Sequence, residues 1–273
     1  TEESGMKVFS HSAPLCMLAG MLVASPALGV QLVSNGPFIT NPGAHASGED
    51  VSLAQDVTYS GYTALGFNAG PDYRLADDFT VPPGHYWTIT STRLFAYQTG
   101  AGDAPFTDAR VIIWQGQPDG FGSIKLFDGT VSNNLVSSTP GAYRTAQSFG
   151  ATMFSDTARR IHTLETAVTP LLLGPGAYWI DWQVKGPTPT SAVFTPPVSI
   201  LGQASTFLGG FPRLKCPSGI TDPEDECFGP TGQWILFNNG TSSYVVDLPF
   251  ELHGTDVIDA IFETGFETPP ASP

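Results

Sequence analysis

The chain has 273 residues, of which 25 are Asp or Glu and 11 are Lys or Arg, giving a formal net charge of −14. So few cations leave little to neutralise phosphates, which excludes nucleic acid as a partner and disfavours an anionic membrane surface. With 11% aromatics, 30 glycines and 24 prolines, the composition is that of a turn-rich extracellular β protein rather than an acidic disordered chain, which lacks aromatics.

Taken in order, "TEESG" (residues 1–5) reads as an upstream extension and residues 6–29 as a signal peptide. Met6-Lys7 supplies the basic start, "LCMLAGMLVA" (Leu15–Ala24) the apolar stretch, and Ala27 and Gly29 the small residues of a cleavage site before Val30. A ten-residue apolar run is too short to cross a bilayer, which takes about 20 residues, so no stable membrane span is expected. Ala-Pro-Leu ahead of Cys16 is not a lipid-attachment motif. Residues 30–58, with "NGPFITNPGAHASGED", read as a flexible lead. Residues 59–254 form the expected domain and residues 255–273 a tail.

Within the domain, short β-like runs alternate with turn chemistry. The runs are "YWTITSTRLFAYQ", "ARVIIWQG", "SIKLFDG", "RRIHTLETAVTPLLL", "GAYWIDWQVKG", "GQWILFN" and "SSYVVDLPFELHG". "GQPDGFG", "SSTPGAY", "LGPGAY" and "KGPTPTSAVFTPP" read as turns between them. Strand-length runs without a helical apolar period predict an all-β fold, an antiparallel β-sandwich that is jelly-roll-like.

Period-two alternation assigns faces. In Gly176–Gly186, Tyr178, Ile180, Trp182 and Val184 point to the core, and Trp179, Asp181 and Gln183 point away from it. An aromatic ring beside two hydrogen-bonding side chains is the chemistry of a sugar-binding surface, so these three are the candidate ligand contacts, although an ordinary solvated strand reads the same way. In Ser242–Gly254, Tyr244, Val246, Leu248 and Phe250 are expected inward, Asp247 and Glu251 outward, and Pro249 marks an edge or a bulge.

Asp77 and Asp78 stand side by side in "YRLADDFTV". An extended chain sends them to opposite faces, so they cannot flank one substrate as the paired carboxyls of a glycosidase, which stand about 5–9 Å apart. The doublet reads first as architecture, with Arg74 as a candidate partner for one of the two, and with a calcium (Ca2+) ligand as its functional alternative. "TDPEDEC" offers Asp222, Glu224, Asp225 and Glu226 as further oxygen donors, without the spacing of an EF-hand loop, and reads first as a solvated acidic turn. Cys216 and Cys227 are expected to pair as a disulfide closing a short loop, since no histidine lies close enough in sequence to complete a zinc site.

"YRLADDFTVPPGHYWTITSTRLFAYQTG", "ARVIIWQGQPDGFG" and "LGPGAYWIDWQVKG" together resemble a family of secreted bacterial β-sandwich proteins with an Ala-Asp-Asp-Phe strand opening, a Trp-Thr-Ile strand and a Gly-x-Tyr-Trp-x-Asp-Trp strand. The resemblance covers roughly residues 59–253 and implies export, a jelly-roll-like fold, and adhesion or ligand binding; it carries no catalytic residues. "DVIDAIFETGFE" (Asp256–Glu267) is similar to a short ending found on exported proteins of some gamma-proteobacteria, with Ala260 in place of the usual Asp, which implies a handle for sorting or processing; it reads equally as a strand or short helix tucked onto the domain with its two Phe as anchors.

Catalytic motifs are thin. No G-x-S-x-G elbow, H-E-x-x-H helix or phosphate-binding loop occurs, and His45, His85, His162 and His253 are scattered. His162 near Glu165 reads as a hydrogen-bonding core or surface residue. The expectation is a secreted or cell-surface, non-catalytic protein that binds a glycan or another surface component. The alternatives are a secreted hydrolase and a structural extracellular matrix or appendage subunit.

Overall fold

The structure, a computed structural model, describes residues 1, 29–55, 65–203, 212–219, 227, 232–236 and 246–259. The signal-peptide reading, Asp222, Glu224, Asp225, Glu226, Tyr244 and most of the tail lie outside the described residues.

Two sheets pack face to face. The first runs in the order β1 (Val30–Ser34), β14 (Phe250–Ile258), β5 (His85–Tyr97), β9 (Arg160–Leu173), β8 (Leu135–Ala146) and β2 (Val51–Ala54). Short β11 (Phe194–Thr195) and β3 (Phe67–Asn68) attach to its β5 side. The second runs β13 (Trp234–Leu236), β12 (Arg213–Lys215), β4 (Arg74–Val81), β10 (Gly176–Lys185), β6 (Asp108–Gln115) and β7 (Ile124–Asp128). Pairings are antiparallel except that of β2 with β8. The all-β, sandwich-like fold expected from the alternating runs is the fold observed.

The alternation in β10 builds the core as the pattern predicts. Tyr178, Ile180, Trp182 and Val184 are buried between the sheets, against Leu75, Phe79 and Val81 of β4 and Trp87, Ile89 and Leu94 of β5. Phe79 lies against Trp87, Tyr178 and Phe250, with ring centroids 6.5, 5.7 and 6.4 Å away. Trp182 is fully buried, and its indole N–H donates to Thr195 Oγ1 at 3.3 Å, which satisfies the one polar atom it brings inside.

The lead is not a separate flexible segment where it is described. Val30–Ser34 adds to β14, and Val51–Ala54 runs parallel to β8. Between them Phe38 and Ile39 pack on the outer side of the first sheet, over Phe95, Tyr97, Ala142 and Ile161. Buried Arg144 ties the arrangement together, donating to the Leu65 carbonyl and to the Ser52 and Ser199 hydroxyls. The polar, Gly/Pro-rich text of this segment hides that role, because its apolar anchors are scattered: Leu32 and Val33 pack on the core, Phe38 and Ile39 on the outer side, and Val51, Leu53 and Ala54 are buried.

Two further differences have local causes. "SSTPGAY" is not a turn: it lies inside β8, where Pro140 is accommodated at a register shift between Pro140 and Tyr143. At the other end, β14 starts at Phe250, directly after Pro249, and Asp247 is buried rather than outward, while Leu248 and Phe250 join the core.

Candidate functional site

The outer face of the second sheet carries the predicted ligand residues, and its cross-strand register shows what stands beside each. One row holds Asp78 of β4, Trp179 of β10, Trp114 of β6 and Lys125 of β7. The next holds Leu236, Arg213, Ala76, Asp181, Ile112 and Asp128. In a third, Trp234 opposes Lys215, which opposes Arg74, and on the far side of the sheet Gln183 opposes Arg110.

Trp179, Asp181 and Gln183 do share this face, but in different states. Asp181 is fully buried. Its carboxylate accepts from the Arg74 guanidinium on one oxygen and from the Trp114 indole N–H on the other. Burial pushes its carboxyl up, and the Arg74 charge and the Trp114 hydrogen bond pull it back. Asp181 therefore positions Arg74 and Trp114 and has no oxygen turned to solvent. Gln183 is half-buried and donates to the Tyr73 carbonyl at 3.1 Å, which leaves its own carbonyl as an acceptor. Trp179 is half-buried, and across from it the Trp114 ring lies 5.3 Å below the Lys125 ammonium.

The loop between β6 and β7, residues 116–123, reaches back across this face. Asp119 comes within 3.8 Å of Lys215 on β12, although β4 and β10 lie between β12 and β6 in the sheet. Pro118 beside it is buried, whereas Phe121 is fully exposed. Arg74, Trp114, Lys125, Arg213, Lys215, Trp234 and this loop were not legible as neighbours of Trp179, because their meeting depends on the pairing of strands far apart in sequence.

The aspartate doublet does divide between faces. Asp77 joins Leu75, Phe79 and Val81 inward, and Asp78 joins Ala76 and Thr80 outward. Strand β12 pairs with β4 only over Arg74–Ala76, and Asp77 finishes the uncovered edge. Its Oδ1 accepts from the Asp78 N–H, and its Oδ2 accepts from the Leu248 N–H and the Asn35 amide, all at 2.9 Å. Both aspartates also border a cavity of about 210 Å3 with Asn35 and Asp247. Burial, reinforced by the Asp247 and Asp78 charges, raises the Asp77 carboxyl well above its usual range against the pull of its backbone donors. A carboxylate whose oxygens face three N–H donors is a poor calcium ligand, because those donors repel a cation. Among the described residues no group of three or more His, Cys, Asp or Glu is arranged to hold a metal ion.

Cys216 and Cys227 form a disulfide, with both cysteines buried in the core. His162 is a core hydrogen-bonding residue: Ser138 Oγ meets its Nδ1 at 2.9 Å and the Gly102 carbonyl meets its Nε2 at 3.1 Å. Ser138 Oγ also accepts the Phe106 N–H, and the imidazole is packed against the Phe106 ring. A serine and a histidine thus meet at hydrogen-bond distance, but inside the sandwich. On the outer face of the first sheet, His253 Nε2 contacts Glu251, which together with Glu165 brackets Arg93.

Among the described residues no helix is long and apolar enough to cross a membrane. The chain matches no family model and no curated protein. Fold and site define an all-β sandwich protein with one disulfide and an aromatic, charge-paired outer face.

Proposed function

We propose that the chain is a non-catalytic binding protein acting outside the cytoplasm, which takes a glycan or another cell-surface component on the outer face of its second sheet. The observation that carries this reading is the juxtaposition of Trp179 and Trp114 on adjacent strands, flanked by Gln183 and Lys125 and braced from below by Asp181. The half-buried Trp179 ring gives an apolar platform for a sugar C–H face, with the buried Trp114 ring supporting it from the next strand and the free Gln183 carbonyl beside it to meet a hydroxyl. Fixing Trp114 and Arg74 through one buried carboxylate lowers the ordering cost of binding.

Export is supported by the disulfide, since such bonds persist in oxidising compartments, and by the leader-like residues 6–29. The likeness of the Ala-Asp-Asp-Phe and Gly-x-Tyr-Trp-x-Asp-Trp strands to secreted bacterial sandwiches points the same way. A secreted hydrolase is the second reading, favoured by the Ser138–His162 contact; it requires the buried His162 beside half-buried Ser138 to become accessible. A glycan array probed with the purified chain tests the proposal. Binding to a defined set of sugars supports it, and a blank array with turnover of an ester or glycoside substrate, abolished in Ser138→Ala, replaces it with the hydrolase.

A further inference from the structure

Building on that reading of the outer face, we infer that the ligand carries a carboxylate or sulfate, an acidic sugar, whose anion is received by Arg213 with Lys215 beside it and Trp234 as a hydrogen-bond donor. The charge distribution is the first argument. Arg74, Arg110, Lys125, Lys185, Arg213 and Lys215 all lie on this face, and they are more than half of the chain's 11 Lys and Arg. Among the described residues, Asp78, Asp108, Asp119, Asp128 and Asp181 on the same face balance all but one of them. A slight local excess of cations in a chain of net charge −14 favours an anionic sugar on this face.

Arg74 pairs with Asp181, Arg93 with Glu165 and Glu251, Arg110 with Asp108, Arg159 with Asp156, and Arg160 with Glu49 and Asp103. Arg144 is held by a carbonyl and two hydroxyls. Arg213 has no such partner: its Nε is buried without an acceptor, as are Nε and Nη1 of Arg160, but Arg160 has carboxylates at 3.0 and 3.3 Å, whereas no carboxylate or carbonyl meets the Arg213 guanidinium among the described residues. Burial lowers its pKa. One strand over, the Trp234 indole Nε1 is likewise buried without an acceptor, and the Lys215 ammonium lies 5.9 Å from that ring. Two orphan donors and a cation on two paired strands form a donor-rich, acceptor-poor corner, and buried donors are ordinarily satisfied. A planar carboxylate suits the guanidinium fork, and the Trp234 ring supplies a surface for the sugar that bears it.

The acid class also follows from charge density. Duplex DNA presents one charge per about 1.7 Å and needs many free cations. Among the described residues this face offers a single cation in excess, which matches one acidic group on a saccharide.

Affinity electrophoresis of the full chain through gels containing polygalacturonate, alginate, dextran sulfate or neutral dextran tests the inference, with Arg213→Ala, Arg213→Lys and Trp179→Ala run alongside. The expected result is retardation by at least one acidic polymer at low salt, weakened tenfold or more in Arg213→Ala, partly recovered in Arg213→Lys, and reduced as salt rises. Circular dichroism and an intact disulfide verify that each variant is folded. Equal retardation of wild type and Arg213→Ala overturns the acidic-ligand inference. Retardation by neutral dextran alone, lost in Trp179→Ala, overturns it too while leaving the glycan reading in place. No retardation by any polymer overturns both.

Discussion

The Leu248 N–H donates to Oδ2 of Asp77 across 2.9 Å, joining residues 171 positions apart in the chain. The same oxygen receives the Asn35 amide, whose nitrogen also reaches the Leu248 carbonyl. Three segments therefore close on one buried carboxyl: the end of β1, the free half of β4, and the approach to β14. The aspartate doublet owes its place to this closure, because a β-strand edge without a partner strand leaves backbone donors that must be satisfied otherwise.

Asp77→Ala leaves those donors without their acceptor and is expected to cost about 2–4 kcal/mol, read as a lower urea midpoint with an unchanged slope. The pH dependence has a definite sign. The folded-state pKa is raised well above 3.8, so the folded chain holds a proton that the unfolded chain has released. The contribution from that proton is fully present below the unfolded value and fades as the pH rises through the folded value. The stability gap between wild type and Asp77→Ala should accordingly be wider near pH 4 than at pH 8, and a gap that widens toward pH 8 contradicts this account.

Asp181 holds Arg74 and Trp114 in place, and removing it strands a buried guanidinium. Asp181→Ala should lose about 3–5 kcal/mol, whereas the double replacement Arg74→Met with Asp181→Leu should recover most of that loss. Thermal melts of the three variants provide the comparison. A double variant as unstable as the single one means that the pair contributes by attraction rather than by mutual compensation.

His162 should stay neutral to lower pH than a free imidazole, because burial depresses its pKa below 6.5. Its contribution is whole above 6.5 and is lost as the pH falls through the folded value, since the unfolded chain then takes the proton first. Imidazole carbon shifts in an NMR titration report this directly. Ser138→Ala should cost about 1–3 kcal/mol through the unmet Nδ1 and Phe106 N–H. A titration midpoint above 6.5 would contradict the buried, neutral assignment.

Reducing the Cys216–Cys227 bond reopens a loop spanned by a separation of 11 residues, worth about 3 kcal/mol on chain-entropy grounds. Because both sulfurs sit in the core beside Leu214, the loss should appear as a lower melting temperature with reductant present. An unaltered melting temperature, with thiol titration showing full reduction, would remove the disulfide from the list of things that hold β12 in place.

Local alternation made much of this molecule legible in sequence. Trp182 inward and Trp179 outward follow from one strand's period, as do the opposed faces of Asp77 and Asp78. What sequence did not reveal depends on partners far along the chain. Asp181 looks like a solvated carboxylate until the β4–β10–β6 register brings Arg74 and Trp114 beside it. Pro140 looks like a turn residue until a bulge absorbs it. Phe38 and Ile39 look incidental in a polar lead until the outer side of the first sheet supplies Phe95 and Ile161 to receive them. Gly254 looks like an ordinary terminator, yet a Cβ there would clash with the Thr88 carbonyl, a requirement set entirely by β5.

The most direct test of the binding face is isothermal titration of the strongest array sugar into wild type, Trp179→Ala, and Thr163→Ala on the opposite outer face. The account predicts heat from wild type and Thr163→Ala and a loss of tenfold or more in affinity for Trp179→Ala. Undiminished binding by Trp179→Ala, with loss in Thr163→Ala instead, would place the ligand on the first sheet and contradict it.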